Sequence, residues 1–587
     1  MCGIFALLNN DSFQHEFINE QFMKGQKRGP EFSKLQLVTS LCLFGFHRLA
    51  INGLNSTSNQ PIIIDDIVLI CNGEIYNYKE LYNIMNIEPT TQSDCEVIIH
   101  LYKKYGMKQT LQMLDGVFAF VLCDFNVYNT TSKIYFARDP YGVRPLYILK
   151  PYNINYNDEN NSFKLKNNIY SCASELKVLS EFSKELPNHT IEHFQPGTYS
   201  KFTMEFKALS LWKQTKEYVK YHSTGFSSII SEINFDLKDD LKNIRYYLCE
   251  AVKKRVLITE RPIASLLSGG LDSSLITAIV NEIHKEHSTK PLETFSIGLE
   301  GSEDLKYAKI VATYLGTNHT EILVTEQDFI DAIPEVIYAI ESYDTTTVRA
   351  SIGNYLLGKY ISQNSDAKVI FNGDGSDELC GGYLYMHMAP DAIEFDKECR
   401  RLLKDIHAFD VLRSDKCISS HGLEPRTPFL DRTWVQFYLS IHPQLRYHPD
   451  YNQCEKYLLR LAFSEENFLD SNGSALLPKE VLWRRKEAFS DGVSKTSRSL
   501  YEIIQEKVAS LDSKSISTNH NHYHSHNTPD TIEKNYYRNI FESHYPNLGK
   551  VVPYFWMPRY IDAKDASART LSIYNKSNNK SNKSGSL

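Results

Sequence analysis

The chain has 587 residues, too many for one hydrophobic core, and that length allows roughly three to four domains. Hydrophobic residues make up 42% and charged residues 23%, the proportions of a globular protein, and no apolar run approaches the ~18 residues needed to cross a bilayer. A net charge of -7 argues against general nucleic-acid or anionic-membrane binding, leaving Lys253-Lys254-Arg255 and Arg484-Arg485-Lys486 as local anion sites.

Along the chain, Met1-Cys2-Gly3-Ile4-Phe5 comes first. Clipping Met1 would leave Cys2 with a thiol and a free α-amine, a nucleophile and base on one residue. The amine titrates near ~8 and the thiol near ~8.5, so the two can exchange a proton at neutral pH. Residues 2 to about 200 carry short apolar runs between turn residues: Leu41–Phe46, Ile62–Ile64, Ile67–Cys71, Gly116–Leu122 and Lys133–Ala137. These read as strands of a sheet-rich domain, interrupted by a helical pattern over Asp94–Tyr102. Asn153–Asn168 reads as an expanded hairpin loop, Pro196-Gly197-Thr198-Tyr199 as a turn into a last strand, and Gln214–Ser231 as a linker. Eleven cysteines without a Cys-x-x-Cys pair suggest neither a disulfide framework nor a zinc site. No basic-then-apolar leader precedes the first strand, so a cytoplasmic protein is expected.

From about residue 236 strands alternate with helices: an amphipathic Asp236–Lys254, then strands at Ile263–Leu267, Thr294–Gly298 and Lys368–Asn372. The pattern predicts a parallel sheet with helices on both faces and ligands beyond the strands' carboxyl ends. Residues 376 to about 570 read as mostly helical. The His-rich run Asn519–His526 offers imidazoles to a transition metal, although Asn/His/Ser richness also marks a biased loop.

Two loops carry the chemistry of this half. Ser268-Gly269-Gly270-Leu271-Asp272-Ser273-Ser274 joins a buried strand to a helix, so its amides, hydroxyls and helix dipole suit an anion. The Lys-Ser/Thr ending of a Walker loop is missing, and Asp272 beside phosphates implies a shared divalent cation. This run resembles the fingerprint of ATP pyrophosphatases. Gly373-Asp374-Gly375-Ser376-Asp377-Glu378 follows another strand and suits magnesium sharing, or equally a solvated turn when taken alone.

With these motifs in order, the chain resembles the glutamine-hydrolysing asparagine synthetases from Cys2 to about Tyr574. The first third is similar to class II glutamine amidotransferases through Met1–Ile4, Arg28-Gly29-Pro30, His47–Ile51, Asn72–Asn77 and Ser93-Asp94. The rest matches through Ser268–Ser274, Tyr343–Ser351, Gly373–Glu378, Pro428–Asp431, Trp483–Gly492, Trp556-Met557-Pro558 and Ser567–Leu571. The resemblance implies an αββα amidotransferase sandwich over 2–205, a linker over 206–235, a doubly wound α/β ATP-pyrophosphatase domain with a helical extension over 236–570, and a disordered tail over 571–587.

The resemblance also implies roles. Cys2 is the nucleophile, Asn72 and Gly73 the oxyanion donors, and Arg48, Leu49, Ala50, Ile51, Asn52, Glu74 and Asp94 hold glutamine, with Arg48 forking its α-carboxylate and Asp94 taking its α-ammonium. Leu267, Ser268, Gly269, Gly270, Asp272, Ser273, Ser274, Ile297, Asn372 and Gly373 bind ATP, and Asp272 and Asp377 hold Mg2+. Thr346, Thr347, Arg349 and Lys486 meet phosphates and the aspartyl carboxylate, with Asp374, Arg349 and Lys486 counted as catalytic. Partners are small molecules only (L-glutamine, L-aspartate and ATP), with no nucleic acid and no membrane, and the assembly expected is a homodimer.

Three positions depart from the family's usual pattern: Glu31 for Asp, Asn372 for Ser, and Asp374 for Glu. Rival readings are an amidotransferase-type synthetase acting on another carboxylate to make a β-lactam or peptide amide, a tRNA-modifying adenylating enzyme, and a non-catalytic protein of the same fold.

Overall fold

The computed structural model describes all residues except 40, 126–130, 153–167, 206–210, 225–236, 452–453, 487–491, 495–497, 499, 516–525, 564 and 568–587. The expanded hairpin loop, nearly all of the His-rich run and the tail therefore lie outside the described residues.

Residues 3–75 give β1 (Gly3–Leu8), α1 (His15–Met23), β2 (Phe32–Thr39), β3 (Cys42–Arg48), β4 (Ile62–Ile64) and β5 (Ile67–Ile75). There follow α2 (Tyr78–Met85), α3 (Val97–Met113), β6 (Gly116–Asp124), β7 (Thr131–Arg138), β8 (Tyr147–Pro151) and β9 (Tyr170–Ala173). The domain ends with α4 (Leu176–Glu185), β10 (His189–His193), β11 (Thr198–Glu205) and β12 (Lys213–Lys220). Two six-stranded antiparallel sheets result, ordered β10-β8-β9-β1-β3-β2 and β12-β11-β7-β6-β5-β4.

Period-two alternation explains the layering. Along β1, Ile4, Ala6 and Leu8 face the second sheet's Ile70, Ala119 and Val121, while Phe5 and Leu7 meet Phe22 of α1 and Leu179 and Phe182 of α4. On the far side α2 and α3 cover Leu69, Phe118 and Phe120. The result is the αββα sandwich.

Two expectations need correction. The segment from Gln214, read as linker, continues the sheet: β12 pairs antiparallel with β11, although few of its residues are apolar, because an edge strand buries little. The helix read at Asp94–Tyr102 starts as a tight turn over Asp94–Glu96, where the Ser93 side chain accepts from the Cys95 amide, and only then becomes α3.

The second domain runs α5 (Leu237–Leu257), β13 (Ile263–Leu266), α6 (Leu271–His287), β14 (Glu293–Leu299), α7 (Glu303–Leu315) and β15 (Asn318–Val324). It continues with α8 (Glu326–Ile340), α9 (Thr345–Asn364), β16 (Val369–Phe371), α10 (Ser376–Cys380), α11 (Ala392–Asp405), α12 (Asp410–Ser419) and β17 (Glu424–Arg426). The sheet is fully parallel in the order β15-β14-β13-β16-β17. The short β17 breaks a stretch expected to be mostly helical. From β13 the chain winds outward through β14 and β15 and returns at β16, so the switch point lies between β13 and β16.

The domains meet across a buried charge network. Arg28 bonds Glu175 at 2.8 Å and Asp415 of α12 at 2.7 Å, and Lys416 pairs with Glu175 at 3.3 Å. Burial alone would raise the Glu175 pKa, but Lys177, Lys416 and Arg28 together hold it far below the usual carboxylate range.

Candidate active sites

The phosphate-type loop leaves β13 and enters α6, and the acidic loop leaves β16 beside it. They abut closely: a Cβ on Gly373 would stand 2.7 Å from the backbone of Asp272 and Ser273, so only glycine permits the approach. The Ser268 and Ser273 hydroxyls lie 2.9 Å apart, and the Ser376 hydroxyl donates to Asp272 at 2.8 Å. A cavity of about 200 Å³ opens here, lined by Leu267, Ser268, Gly270, Asp272, Ser273, Ile297, Asn372, Gly373, Asp374 and Asp377 among others.

Two ATP-loop residues do not reach it. Gly269 has φ +70° and turns against Tyr307 and Ala308 of α7, and Ser274 is fully buried within the first turn of α6. A loop of consecutive residues cannot turn every side chain toward one ligand.

Two lysines span the carboxylates. Lys486 Nζ lies 2.6 Å from Asp377 and 3.8 Å from Asp272. Lys456, which the sequence reading missed, donates to both Asp272 oxygens at 2.6 Å and pairs with Asp377 at 2.5 Å. Burial opposes the charged forms of Lys486 and Asp377, yet Asp377 and Asp272 hold the lysine's pKa above its ordinary value, and Lys456 with Lys486 holds that of Asp377 below. Lys456 sits in the run Glu455-Lys456-Tyr457-Leu458-Leu459-Arg460, which carries no glycine or motif signal, and only the fold delivers it to the cavity.

Among the described residues no group of three or more His, Cys, Asp or Glu could hold a metal unaided. Asp272 and Asp377 nevertheless direct negative charge at one ammonium, Lys456 Nζ, beside the phosphate loop. That donor set fits magnesium, which takes one or two carboxylates and completes its shell with substrate phosphates and water.

Along α9, Thr346, Ala350, Asn354 and Leu357 line the cavity at helical spacing. Thr347 and Arg349 fall off that face: Thr347 lines a smaller neighbouring cavity instead, and Arg349 departs from the expectation. The Thr347 hydroxyl donates to Asp344, the residue capping α9, at 2.8 Å. Arg349 Nε donates to Glu533 at 2.8 Å and Nη1 to Asp565 at 2.8 Å, and the guanidinium is buried, so it ties the helical extension down and does not line the cavity.

Asn372, at the cavity wall, donates its side-chain amide to Ser414 of α12 at 2.8 Å, and its Oδ1 accepts from the Asp374 amide at 3.3 Å. Asp374 places one oxygen 3.2 Å from Arg413, and its other oxygen is buried without a hydrogen-bond partner at the cavity wall. A smaller cavity of about 40 Å³ shares Thr346, Ala350, Tyr383, Asp410 and Arg413 with the first, and its wall also carries Glu378, Tyr554 and Trp556.

In the first domain Cys2 immediately precedes β1, its thiol donating to Leu49 O at 3.6 Å and its carbonyl accepting from Arg28 Nε at 3.0 Å. Burial pushes the thiol up to about 11 and the Met1 α-amine down to about 6. Ser174, another residue the sequence did not single out, accepts from the Ile4 amide at 3.1 Å and from Asn72 Nδ2 at 3.4 Å, tying the strand behind Cys2 to Asn72. The Asn72 Oδ1 is buried without a partner.

Asn52 donates to Glu74 at 2.7 Å, and Asp94 accepts from the Ile75 amide at 2.7 Å. Burial raises both carboxyls, Asp94 to about 6, with Asp94 and Glu424 adding repulsion at Glu74. Arg48 differs from expectation. Its Nη1 donates to Asn55 O at 2.9 Å and Asn59 Oδ1 at 2.6 Å, and its Nη2 to Gly53 O and, at 3.4 Å, Asn52 O. The fork is filled by its own loop, and the Nη1 acceptors beyond Gly53, Asn55 O and Asn59 Oδ1, must yield before a carboxylate can take their place.

Comparison with known proteins agrees with both halves. Residues 1–218 match the glutamine amidotransferase domain family, and residues 243–395 and 390–550 match the asparagine synthase family. The chain is 41% identical over 593 residues to a chicken (Gallus gallus) protein named glutamine-hydrolyzing asparagine synthetase, covering 98% of this chain and 99% of that one. The human (Homo sapiens) protein of the same name is 40% identical over 594 residues, with the same coverage. With Cys2 at the head of a sandwich strand, a glycine-rich loop at a parallel-sheet switch point and relatives matched over nearly the whole chain, the chain belongs to the glutamine-hydrolysing asparagine synthetase family.

Proposed function

We propose that this protein makes L-asparagine and L-glutamate from L-aspartate, L-glutamine, ATP and water, releasing AMP and diphosphate. Once Met1 is removed, the Cys2 amine takes the thiol's proton and the thiolate attacks the side-chain amide carbon of glutamine. Asn72 and the Gly73 amide donate to the oxyanion, the C–N bond breaks, and ammonia leaves a thioester that water cleaves to glutamate.

At the second site an oxygen of the aspartate side-chain carboxylate attacks the α-phosphorus of ATP, and diphosphate leaves. Ammonia then attacks the acyl carbon and displaces AMP. Lys456 and Lys486 stabilise the charge that develops on the departing diphosphate, and the amides of Ser268–Ser273 cradle it. Asp272 and Asp377 would hold magnesium, which when bound neutralises phosphate charge. The smaller cavity suits aspartate, offering Glu378 and Asp410 to its ammonium and Arg413 to its α-carboxylate. Transfer of ammonia between sites inside one chain keeps water from the adenylate.

The observation that carries this reading is the convergence of Asp272, Asp377, Lys456 and Lys486 on one cavity, in a chain that also begins its first sheet behind Cys2. The test is aspartate-dependent diphosphate release with glutamine and with ammonia. Cys2→Ala abolishes the first and spares the second, whereas Asp272→Asn abolishes both and spares part of the glutamine hydrolysis. Near-normal diphosphate release from Asp272→Asn overturns the assignment. Amidation of a larger carboxylate in preference to aspartate would favour the β-lactam or peptide-amide reading.

A further inference from the structure

The loop after β3 that carries Leu49–Gly53 is shaped largely by the other domain. The Ala50 amide donates to Glu31 Oε2 at 2.7 Å, and Arg261 Nε donates to Ala50 O at 2.8 Å. Arg261 Nη2 donates to Glu31 Oε1 at 2.5 Å, closing a ring of one backbone and two side chains across the domain boundary. Next to it the Glu260 amide donates to Ile51 O at 3.0 Å, and the Gly53 amide donates to Glu260 Oε1 at 2.9 Å. The Ala50 amide and carbonyl, the Ile51 carbonyl and the Gly53 amide are thus all held by Glu31, Glu260 or Arg261, while the Asn52 and Gly53 carbonyls go to Arg48.

These residues sit at informative places. Glu260 and Arg261 lie just ahead of β13, separated from it by Pro262, and that strand leads at its other end into the glycine-rich loop. The Glu31 carboxylate spans both groups, one oxygen on the Ala50 amide and the other on Arg261. The loop in turn supplies Leu49 O to the Cys2 thiol and the carbonyls that hold Arg48.

We propose that Glu31, Glu260 and Arg261 form an interdomain latch that holds the glutamine-binding loop in its working shape, so that glutamine binding in the first domain depends on the synthetase domain. The three are positioning residues: they touch the loop and not the substrate. The inference rests on the proposed glutaminase site. The Glu31–Arg261 pair is part-exposed, with side-chain exposures of 32% and 27%, so its own ionic contribution is small, and its effect is carried by the hydrogen bonds to the loop backbone.

The test uses the full-length enzyme carrying Arg261→Met, Glu31→Ala or Arg261→Lys, with glutamine hydrolysis and ammonia-dependent diphosphate release measured side by side. Arg261→Met and Glu31→Ala should each raise the glutamine KM about ten-fold, the size of losing one charge-assisted hydrogen bond, with kcat little changed. Arg261→Lys, which keeps a donor and the charge, should recover part of that affinity. Ammonia-dependent synthesis should stay at the parent level in all three. An unchanged glutamine KM in both disruptive variants overturns the latch. So does loss of ammonia-dependent and glutamine-dependent activity in equal measure, which would mark a general fold defect. Failure of the parent enzyme to release diphosphate with aspartate and ammonia would instead refute the functional reading itself.

Discussion

Replacing Lys456 by Met probes the phosphate site most directly. The ammonium is almost fully buried, donates to both oxygens of Asp272 at 2.6 Å and pairs with Asp377 at 2.5 Å. Met keeps the length of the stem and removes the charge, leaving two carboxylates facing each other. Removing one preorganised donor to charge that develops in a transition state costs roughly 10²–10³-fold in rate. Lys486, 2.6 Å from Asp377 and 3.8 Å from Asp272, compensates part of the loss, so the lower figure, about 10²-fold, applies. The assay is diphosphate release at saturating aspartate and ammonium with MgATP varied, alongside glutamine hydrolysis as the internal control. Diphosphate release should fall about 10²-fold while glutamine hydrolysis persists. A Lys456→Met enzyme within about three-fold of the parent would show that the lysine is only a structural counter-ion and that the charge argument is wrong.

Asp374→Ala should lose about 100-fold of ammonia-supported synthesis, since its unpartnered oxygen faces the cavity, whereas Asp374→Glu should not raise the rate many-fold, because the loop is already fitted to Arg413. A many-fold gain in the Glu variant would mean that the natural side chain is too short for its task. Asp94, raised to about 6 by burial, must be ionised to accept the glutamine ammonium, so kcat/KM for glutamine should fall about ten-fold per pH unit below 6. A flat profile to pH ~5 would dismiss that role. Asp431 is held down to about 2: burial opposes its charge, but Arg255 at 2.7 Å and Lys254 at 2.5 Å outweigh it. Its folded pKa lies below the unfolded value of ~3.9, so its stabilisation is complete above pH ~4 and vanishes as the pH falls toward 2. Arg255→Met should therefore lower the melting temperature at pH 7, with the gap to the parent shrinking at pH 3, and an equal gap at both would refute the linkage.

Local pattern alone carried the sheet-rich first domain, the parallel second sheet and the two ligand loops. Apolar runs of strand length, glycines before a helix and carboxylates at a strand end are each legible within a window of about ten residues. Cys2, Asp272, Asp374 and Asp377 were legible for the same reason, since their neighbours in the chain are also their neighbours in the site. The edge strand Lys213–Lys220 escaped because an edge needs little apolar content, and it is defined by pairing with β11.

Side-chain direction and long-range partners belonged to the tertiary structure. Thr346 and Arg349 lie within one helical turn, yet the rotation of α9 sends one to the cavity and the other to Glu533 and Asp565. Lys456 reaches Asp272 across 184 positions of chain, and Ser174 reaches Asn72 across 102, distances at which no local signal survives. The same holds for Arg48, whose fork is filled by its own loop, and for Glu31, whose partner Arg261 stands in another domain. Chemistry of the loops is written in residue types at short spacing, whereas charge balance and loop shape depend on which distant groups the fold brings within about 3 Å, the range of a hydrogen bond.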